Sequence, residues 1–406
     1  MTWRTVKLGD VCSINNGGTP KSKVREYWDG GVQWLTPKDM GKLTSRYVFM
    51  TERQISQEGL DNSSAKIIPQ ESVILSCRAP IGHVAINQVP MSFNQGCKGL
   101  VPSDEIIVEY LYYFLISSKQ LLNDLGTGAT FKEISAKTLH LVDVPLPPIA
   151  EQQRIVAKLD AAFAEIDTKV EAALSIIKNI ISFKASLLDV ALSGIDKSKH
   201  SYTLQNLLDI GWIESHLDGN HGSDYPRKSE FTDAGVPYIS ANCICNGNLE
   251  FKKAKYLSVD RAAKLRKGIA KNGDVLFAHN ATVGPTAILQ TNEEKVILGT
   301  SLTYFRCNDQ MINNEYLLAF MRSRNFINQY TYVMSQATRN QVPITKQRTF
   351  TFLVPDMSVQ QNVAETVKKL TELTAEIIDK TGASMNQLQA LKSAILSQEL
   401  QSGEAA

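Results

Sequence analysis

An internal repeat is the feature that most constrains the fold of this 406-residue chain. Two long segments carry the same features in the same order, and the offset between matching positions drifts only from 199 to 208. The matches include Leu8 with Leu207, Val73 with Val275, Glu109 with Glu315, Ala129 with Ala337, Thr130 with Thr338, Gln152 with Gln360, and Lys184 with Lys392. Because solenoid repeats are only about 20–50 residues long, a period of this length predicts two whole domains.

Each half begins with short β segments that are separated by Gly, Pro and Asn turns. Predicted strands lie at 32–35, 72–76 and 83–87 in the first half, and at 236–240, 274–278 and 286–290 in the second. A helix is predicted at 107–117 and again at 314–322, and each half closes on a Pro-bounded segment, 141–147 or 350–355. The pattern predicts a mixed, strand-rich α/β domain in each half.

A long helix is predicted after each domain. Beyond Pro147 and Pro148 the chain has few turn residues for about 45 positions, with apolar residues spaced alternately by three and four. In the second copy the residues of this stripe are Val363, Val367, Leu370, Ile377, Leu388, Leu391 and Ile395. This spacing is typical of the a/d stripe of a coiled coil. About 40 helical residues extend ~60 Å, so most of such a helix would project beyond a domain of this size. We therefore predict that the two helices pair with each other in antiparallel orientation; the alternative is that each packs alone on its own domain.

The predicted fold is mixed α+β, with two tandem α/β domains separated by two long helices that pair as an antiparallel coiled coil. The repeat gives this arrangement a pseudo-twofold character. The predicted boundaries are 1–148 for the first domain, 149–200 for the central helix and connector, 201–355 for the second domain, and 356–406 for the C-terminal helix.

The charge is unevenly distributed, although the net charge of the chain is only +2. The net charge is +1 over 1–148 and +4 over 201–355, and the remaining segments carry −3. Positive charge therefore lies in the predicted domains, and negative charge lies in the predicted helical segments. No apolar run reaches the roughly 20 residues needed to span a bilayer, and the N-terminus lacks the apolar stretch of a signal peptide. These features predict a cytoplasmic protein.

No catalytic, metal or cofactor site is predicted. The chain has no GxxxxGK[ST] loop for ATP, and the GxG at 126–128 follows no buried strand. The Pro147-Pro148 pair lacks the flanking Asn or Asp and aromatic residue with which an amino-methyltransferase grips a flipped base. The six histidines lack ligand or triad spacing, and the six scattered cysteines form no CxxC pair.

Several further segments of the chain form one set of recognisable motifs. The segment that closes the first domain, 144–155, reads VPLPPIAEQQRI, and 183–188 near the end of its helix reads FKASLL. The turns at 17–20 (GGTP), 34–37 (WLTP), 78–83 (RAPIGH) and 126–130 (GTGAT) belong to the same set. Together these segments resemble the specificity subunits of type I restriction–modification systems, and the resemblance covers essentially the full chain. The second copy departs from it, because Val359 replaces Glu151 and the turn at 279–284 reads HNATVG.

The resemblance implies two target-recognition domains, 1–148 and 201–355, each reading one half of a bipartite DNA target. It implies that the helices act as a ruler and dock two methyltransferase subunits, which a motor-nuclease subunit then joins in a system of phage defence. The chain itself would be non-catalytic and bind no cofactor, whereas S-adenosylmethionine, ATP and Mg²⁺ would serve the partner subunits. Two alternatives stay open: a self-sufficient DNA methyltransferase with cryptic motifs, and a protein-binding scaffold.

Candidate DNA-binding residues are chosen as loop cations and amides, because Arg and Lys neutralise phosphates while Arg, Lys, Asn and Gln can read base edges. In the first half they are Lys21, Lys23, Arg25, Lys38, Arg46, Arg78 and Lys132. In the second half they are Arg227, Lys228, Asn242, Asn280, Arg339, Asn340, Arg348 and the basic run of Lys252, Lys253, Lys255, Arg261, Lys264, Arg266 and Lys267, which favours phosphate contacts. The alternative for each is a solvated surface charge, and for Arg78 also an internal salt bridge.

Overall fold

The computed structural model describes residues 3–128, 132–245 and 247–401. Among the positions named above, Ala129 and Thr130 lie outside the described residues. The chain forms two compact units, of which the first comprises Met1–Ala173 and Gly382–Ala406 and the second comprises Leu174–Thr381. Each unit therefore contains one globular domain and part of both long helices. The domain boundaries predicted from the sequence stay a prediction.

The first unit is built on a five-stranded sheet, a three-stranded sheet and a closing strand pair. In sheet order, the five strands are Cys12–Asn16, Cys97–Pro102, Ser72–Ser76, Val84–Asn87 and Tyr47–Val48. The three are Gln54–Ile55, Trp28–Leu35 and Ser92–Phe93, and the closing pair is Arg4–Lys7 with Asp143–Leu146. The short helices are Leu8–Val11, Pro37–Met40, Gln57–Asp61, Val108–Ser117, Lys119–Leu125 and Ala136–His140, with a 3₁₀ turn at Arg25–Tyr27.

The second unit contains a four-stranded sheet that matches the first unit. In sheet order its strands are Ile213–Asp218, Leu302–Cys307, Val275–Ala278 and Thr286–Ile288. The adjoining five-stranded sheet consists of Phe231–Thr232, Lys255–Leu257, Val236–Ile239, Val296–Leu298 and Ile269–Ala270, and the two strand pairs are Ser201–Thr203 with Thr351–Leu353 and Ile244–Cys245 with Asn248–Leu249. The short helices are Lys197–His200, Leu204–Asp209, Val259–Ala263, Asn314–Met321, Arg324–Ser335 and Ile344–Gln347, with 3₁₀ turns at Gly222–Asp224, Lys228–Glu230, Ala241–Cys243 and Phe251–Lys253.

Both units are mixed α/β domains, and four strands of the main sheet follow the same order in each, so the predicted duplication is confirmed. The central strands are buried on both faces: Val73, Ile74 and Leu75 are 0% exposed, and so are Val275 and Leu276. Such fully apolar runs form central strands because sheet or helix covers each face. The strands and helices predicted from turn chemistry and periodicity are present, with ends that shift by a few residues.

A buried glutamine occupies the same position in both copies of the repeat. Gln152 accepts a hydrogen bond from the Ile107 amide at 2.9 Å and donates to the carbonyls of Glu105 and Pro147, both at 2.9 Å. In the second unit, Gln360 accepts from the Asn313 amide and donates to the carbonyls of Met311 and Pro355, at 2.9, 3.0 and 2.8 Å. Each glutamine thus satisfies three backbone groups where the long helix begins, which an apolar side chain could not do.

The long helices are Ile149–Ser193, the central helix, and Met357–Gln401, the C-terminal helix. In the first unit, Leu396 and Leu400 share a buried cluster with Ile155 and Leu159. In the second unit, Leu188 and Leu192 share a cluster with Val363 and Ala364. Early residues of one helix therefore pack near late residues of the other, so antiparallel pairing is confirmed. The alternative, in which each helix packs alone on its own domain, is wrong.

Ion pairs reinforce the pairing, and one of them corrects the predicted stripe. Lys158 contacts Glu399 at 2.7 Å, and Lys392 contacts Asp167 at 2.7 Å. The ammonium of Lys392 also lies 4.5 Å from the centre of the Phe163 ring. Lys392 thus occupies the position on the helix face that the spacing assigns to Leu391, which is 49% exposed. A straight helix drifts by about 20° per heptad relative to a strict seven-residue repeat, which moves such positions off the stripe.

Candidate nucleic-acid interface

The first basic loop of unit one is free to bind an anion. Lys21, Lys23 and Arg25 are all exposed, and none has an acidic partner among the described residues. The backbone of the loop is turned by hydrogen bonds from the Val24 amide to Lys21 and from the Tyr27 amide to Val24, at 3.1 and 3.3 Å. Three unpaired cations within five residues form a suitable surface for phosphates.

Arg46 is held inside the first unit. Its guanidinium donates to both carboxylate oxygens of Asp160 on the central helix at 2.6 and 2.9 Å, and it also contacts the Tyr113 hydroxyl at 2.9 Å. Burial opposes the charge of Asp160, yet the hydrogen bonds from Arg46 and Tyr113 lower the pKa of this carboxyl below its ordinary value. The pair therefore joins the domain to its helix. A DNA contact by Arg46 stays a prediction.

Arg78 makes the internal salt bridge that was its alternative role. Its Nε and Nη2 donate to Oε2 of Glu133 at 3.0 and 2.6 Å, and the buried ammonium of Lys98 lies 3.9 Å from the other oxygen. Two loops, one at Arg78 and one at Glu133, are also joined by a β-bridge between these residues. Lys132, beside Glu133, is exposed. Lys38 is exposed as well, but it lies 3.7 Å from Glu52.

The basic run of the second unit divides into paired and unpaired cations. Arg261 is bound to Glu230 at 2.7 Å, and Lys252 and Lys253 contact Glu250 at 3.5 and 3.0 Å. The remaining four have no acidic partner in the described part of the unit and are exposed: Lys255, Lys264, Arg266 and Lys267. About half of the run is therefore available to an external anion.

Two further loops of the second unit meet at predicted residues. Asn280 forms a β-bridge with Gln341, and the Asn340 side chain donates to the Ala281 carbonyl at 2.6 Å. Arg339, next to Asn340, is exposed. The structure therefore brings Asn280, Arg339 and Asn340 together. Three other segments carry the remaining exposed candidates, which are Arg227 with Lys228, Asn242, and Arg348.

Two buried histidines lie beneath these loops. His279 Nδ1 donates to the Val342 carbonyl at 3.0 Å, and His216 Nε2 lies 3.0 Å from Gln347 Oε1. Because this oxygen can only accept, His216 Nε2 is the donor of this hydrogen bond. Burial lowers the pKa of His216 to about 4 and also lowers the pKa of His279. No group of three or more His, Cys, Asp or Glu in the described residues is placed to hold a metal ion.

The structure thus consists of two related α/β domains with exposed basic loops, each packed on paired helices. No helix among the described residues has the length and apolarity to cross a membrane. The family model for the type I restriction modification DNA specificity domain matches residues 1–175 and 214–386. Since these matches include most of the chain, the chain belongs to the type I restriction–modification DNA specificity family.

Individual relatives agree with this assignment. The MjaIX specificity subunit of Methanocaldococcus jannaschii is 27% identical over 91% of this chain and 87% of its own length. The EcoR124I/EcoR124II specificity subunit of Escherichia coli is 36% identical over 39% of this chain and 40% of its own length. Two solved structures share the fold at 18% and 17% identity, each covering 98% of this chain. One comes from work on assembly of the type I R-M system, with a TM-score of 0.73 and 97% of that chain covered. The other is the HsdS subunit of Thermoanaerobacter tengcongensis, with a TM-score of 0.51 and 96% covered.

Proposed function

We propose that this chain is the non-catalytic DNA-reading subunit of a type I restriction–modification complex and that it acts on DNA in the cytoplasm. Each domain reads one half of a bipartite target. The observation that carries this proposal is the contrast within the repeat: the glutamine network of Gln152 and Gln360 is the same in both units, whereas the exposed cations differ. A common frame with different loops suits two different half-sites, because base identity is read by side chains in the grooves.

The long helices provide the surface for the partner subunits. On the central helix, Leu174, Ile176, Ile181 and Phe183 are 49–59% exposed, and on the C-terminal helix Leu373 is 57% exposed. Apolar side chains at this density on one helix favour burial by a protein partner. We assign this surface to two methyltransferase subunits, through which motor-nuclease subunits join the complex. S-adenosylmethionine, ATP and Mg²⁺ are bound by those partners.

Co-expression with the neighbouring methyltransferase gene tests the proposal. We expect a complex of one such chain and two methyltransferases, which binds one bipartite sequence in preference to competitor DNA. Sequencing the methylated DNA of the expressing host then identifies both half-sites. The proposal fails if no complex forms or if DNA binding by the complex is sequence-blind. Methylation by the purified chain alone with S-adenosylmethionine would support a self-sufficient methyltransferase instead.

A matched pair of variants tests whether the methyltransferase docks on the apolar residues of the central helix. Phe183→Asp places a charge on the exposed apolar surface of the central helix, and we expect at least a tenfold loss of methyltransferase binding because a desolvated charge is costly at an interface. Lys178→Asp, on the same helix, reverses a charge at a position that is already exposed and polar. It serves as the control. Equal loss in both variants would contradict docking through the apolar residues.

A further inference from the structure

An arginine that the sequence motifs do not single out is stacked on a tryptophan in the first unit. The Arg53 guanidinium carbon lies 3.6 Å from the centre of the Trp28 ring and 5.6 Å from that of Trp34. The two tryptophans are themselves edge-to-face, with centroids 5.1 Å apart. Stacking on an aromatic face orients a guanidinium while its edge, which carries the N–H donors, stays outward.

A second cation is stacked on an aromatic ring in the second unit. The Lys255 ammonium lies 4.7 Å from the centre of the Phe231 ring. Phe231 and Tyr238 are edge-to-face, with centroids 5.1 Å apart. Both units therefore contain two aromatic rings in an edge-to-face arrangement. A cation lies over one of these rings, Trp28 in the first unit and Phe231 in the second.

The strand register shows that the two stacks are equivalent. Trp34 lies on a strand that pairs in parallel with Ser92–Phe93, and the Trp34 amide donates to the Arg53 carbonyl at 3.3 Å on its other side. Tyr238 lies on a strand that pairs in parallel with Val296–Leu298, and its antiparallel neighbour on the other side is Lys255. The cation is thus opposite the strand aromatic in both units, although the sequences around it differ.

Neither cation is paired with a carboxylate among the described residues. Arg53 is exposed and has no acidic partner among the described residues, and the adjacent Glu52 is bound to Lys38 and Lys42 at 3.7 and 2.9 Å. By contrast, Arg46, Arg78 and Arg261 are each bound to an acid. A cation that is exposed, oriented by an aromatic ring and not paired with a carboxylate is available to an external anion or acceptor.

The Arg53 stack also adjoins the unpaired basic loop. Trp28 Nε1 donates to the Lys21 carbonyl at 3.3 Å, so the ring that orients Arg53 also anchors the loop of Lys21, Lys23 and Arg25. Trp34 Nε1 donates to the Gly18 carbonyl at 2.9 Å and fixes the preceding turn. The Trp28 ring therefore contacts both the Arg53 guanidinium and the backbone of the loop that carries Lys21, Lys23 and Arg25.

We propose that Arg53 and Lys255 are equivalent DNA contacts, one in each unit, which their aromatic pairs hold in position for bound DNA. This inference rests on the proposed function. Arg53 presents two parallel N–H donors to a bidentate acceptor, which in DNA is the O6/N7 edge of guanine or a phosphate. Lys255 presents a single point charge at the corresponding place. The first half-site therefore depends on this position more than the second.

The test uses the full chain in complex with its methyltransferase subunits and the DNA target found by methylation mapping. Arg53→Ala and Lys255→Ala remove each cation, and Arg53→Lys and Lys255→Arg exchange them. Arg4→Ala and Lys197→Ala are the controls, since they remove an exposed positive charge elsewhere in the same units. Thermal unfolding of each variant establishes that it is folded.

We expect Arg53→Ala to weaken binding to the target by about 10–100-fold, the range of one bidentate contact. Lys255→Ala should weaken binding about 3–10-fold. Arg53→Lys should restore less than half of the binding free energy that Arg53→Ala loses. Lys255→Arg should bind the target at least as tightly as the unchanged chain. Trp28→Leu should reproduce part of the Arg53→Ala loss with the cation still present, because the guanidinium is no longer oriented.

Single-position target variants distinguish the two acceptors. If Arg53 contacts guanine, Arg53→Ala abolishes discrimination at one G·C pair of the first half-site. If it contacts phosphate, the loss is the same for every sequence and the salt slope of binding falls by about 1. Either result supports the inference. Losses no larger than those of the two control variants would overturn it, while specific binding by the unchanged complex would leave the proposed function intact.

Discussion

In the first unit the loop at Arg78 is joined to the loop at Glu133 by an ion pair, whereas in the second unit the corresponding loops are joined by hydrogen bonds from neutral side chains. Arg78 donates to Glu133 at 2.6 Å, while His279 donates to the Val342 carbonyl at 3.0 Å and Asn340 to the Ala281 carbonyl at 2.6 Å. Both units have a β-bridge at this place. The backbone arrangement is therefore retained although the chemistry that stabilises it has changed.

The frame behind the loops has not changed in the same way. The Tyr110 hydroxyl donates to the Pro145 carbonyl at 2.8 Å, and Tyr316 donates to the Leu353 carbonyl at 2.7 Å. The glutamine networks match as well. Buried polar groups must keep their partners, since an orphaned donor or acceptor is costly. Exposed loop residues carry no such constraint, so they can diverge to read different DNA while the frame stays constant.

The substitutions with the largest expected effect test whether the two glutamine networks contribute equally to the free energy of unfolding of their units. Gln152→Ala and Gln360→Ala each leave one amide and two carbonyls without their side-chain partner, so each should lower the free energy of unfolding of its unit by about 3 kcal/mol. Hydrogen exchange of the Ile107 and Asn313 amides reports each unit separately. The adjacent, exposed Gln153→Ala and Gln361→Ala are the controls. A loss in one unit only would break the equivalence.

Acid should distinguish the two units next. The pKa of His216 is about 4 in the folded chain and 6.5 in its ordinary state. Its contribution to stability is therefore complete above pH 6.5 and is lost as the pH falls towards 4, by at most about 3 kcal/mol. Burial also lowers the pKa of His279 in the second unit and that of the partly buried His83 in the first. We expect the second unit to lose hydrogen-exchange protection first.

A substitution checks the origin of this acid sensitivity. His216→Phe removes the titrating ring and leaves Gln347 Oε1 with its bond from the Thr303 hydroxyl at 3.0 Å. The dependence of the stability of the second unit on pH between 6.5 and 4 should flatten, and that of the first unit should not change. If both units of the unchanged chain lose hydrogen-exchange protection at the same pH, their different loop contacts do not govern their response to acid. Those contacts are an ion pair in the first unit and neutral side chains in the second.

The smallest effects concern the ion pairs that tie each domain to the central helix. Arg46 and Asp160 have side chains 19% and 38% exposed, whereas Arg324 and Asp189 of the second unit are 67% and 28% exposed. Asp160→Ala leaves a largely buried guanidinium unpaired and should cost about 2 kcal/mol, while Asp189→Ala removes a more solvated pair and should cost less than about 1 kcal/mol. Urea unfolding measures both, with Glu171→Ala, at an exposed position of the same helix, as a reference. Equal losses would mean that exposure does not separate the two pairs.

The sequence predicted the architecture well because the relevant signals are local or repeated. The run of 73–75 is apolar without interruption, and turn residues bound it, so its burial as a central strand could be anticipated. The helix stripe likewise predicted pairing. The stripe is wrong at Leu391, because the next residue, Lys392, buries its methylenes on this helix face and directs its ammonium to Asp167. Ile377, which the spacing also assigns to the stripe, is 39% exposed. A pattern of apolar letters does not detect such a lysine.

The sequence by itself determined that this chain is a duplication of an α/β domain followed by a long helix, because periodicity and turn chemistry depend on neighbouring residues. Only the tertiary structure decided which cations are free. Arg46 and its partner Asp160 are 114 positions apart, and Arg78 and Glu133 are 55 apart. The same holds for Arg53, whose orientation depends on a ring 25 positions earlier in the chain. The sequence gives the number of cations. Whether a cation is available to a ligand depends on the acidic partners that folding brings within a few ångströms of it.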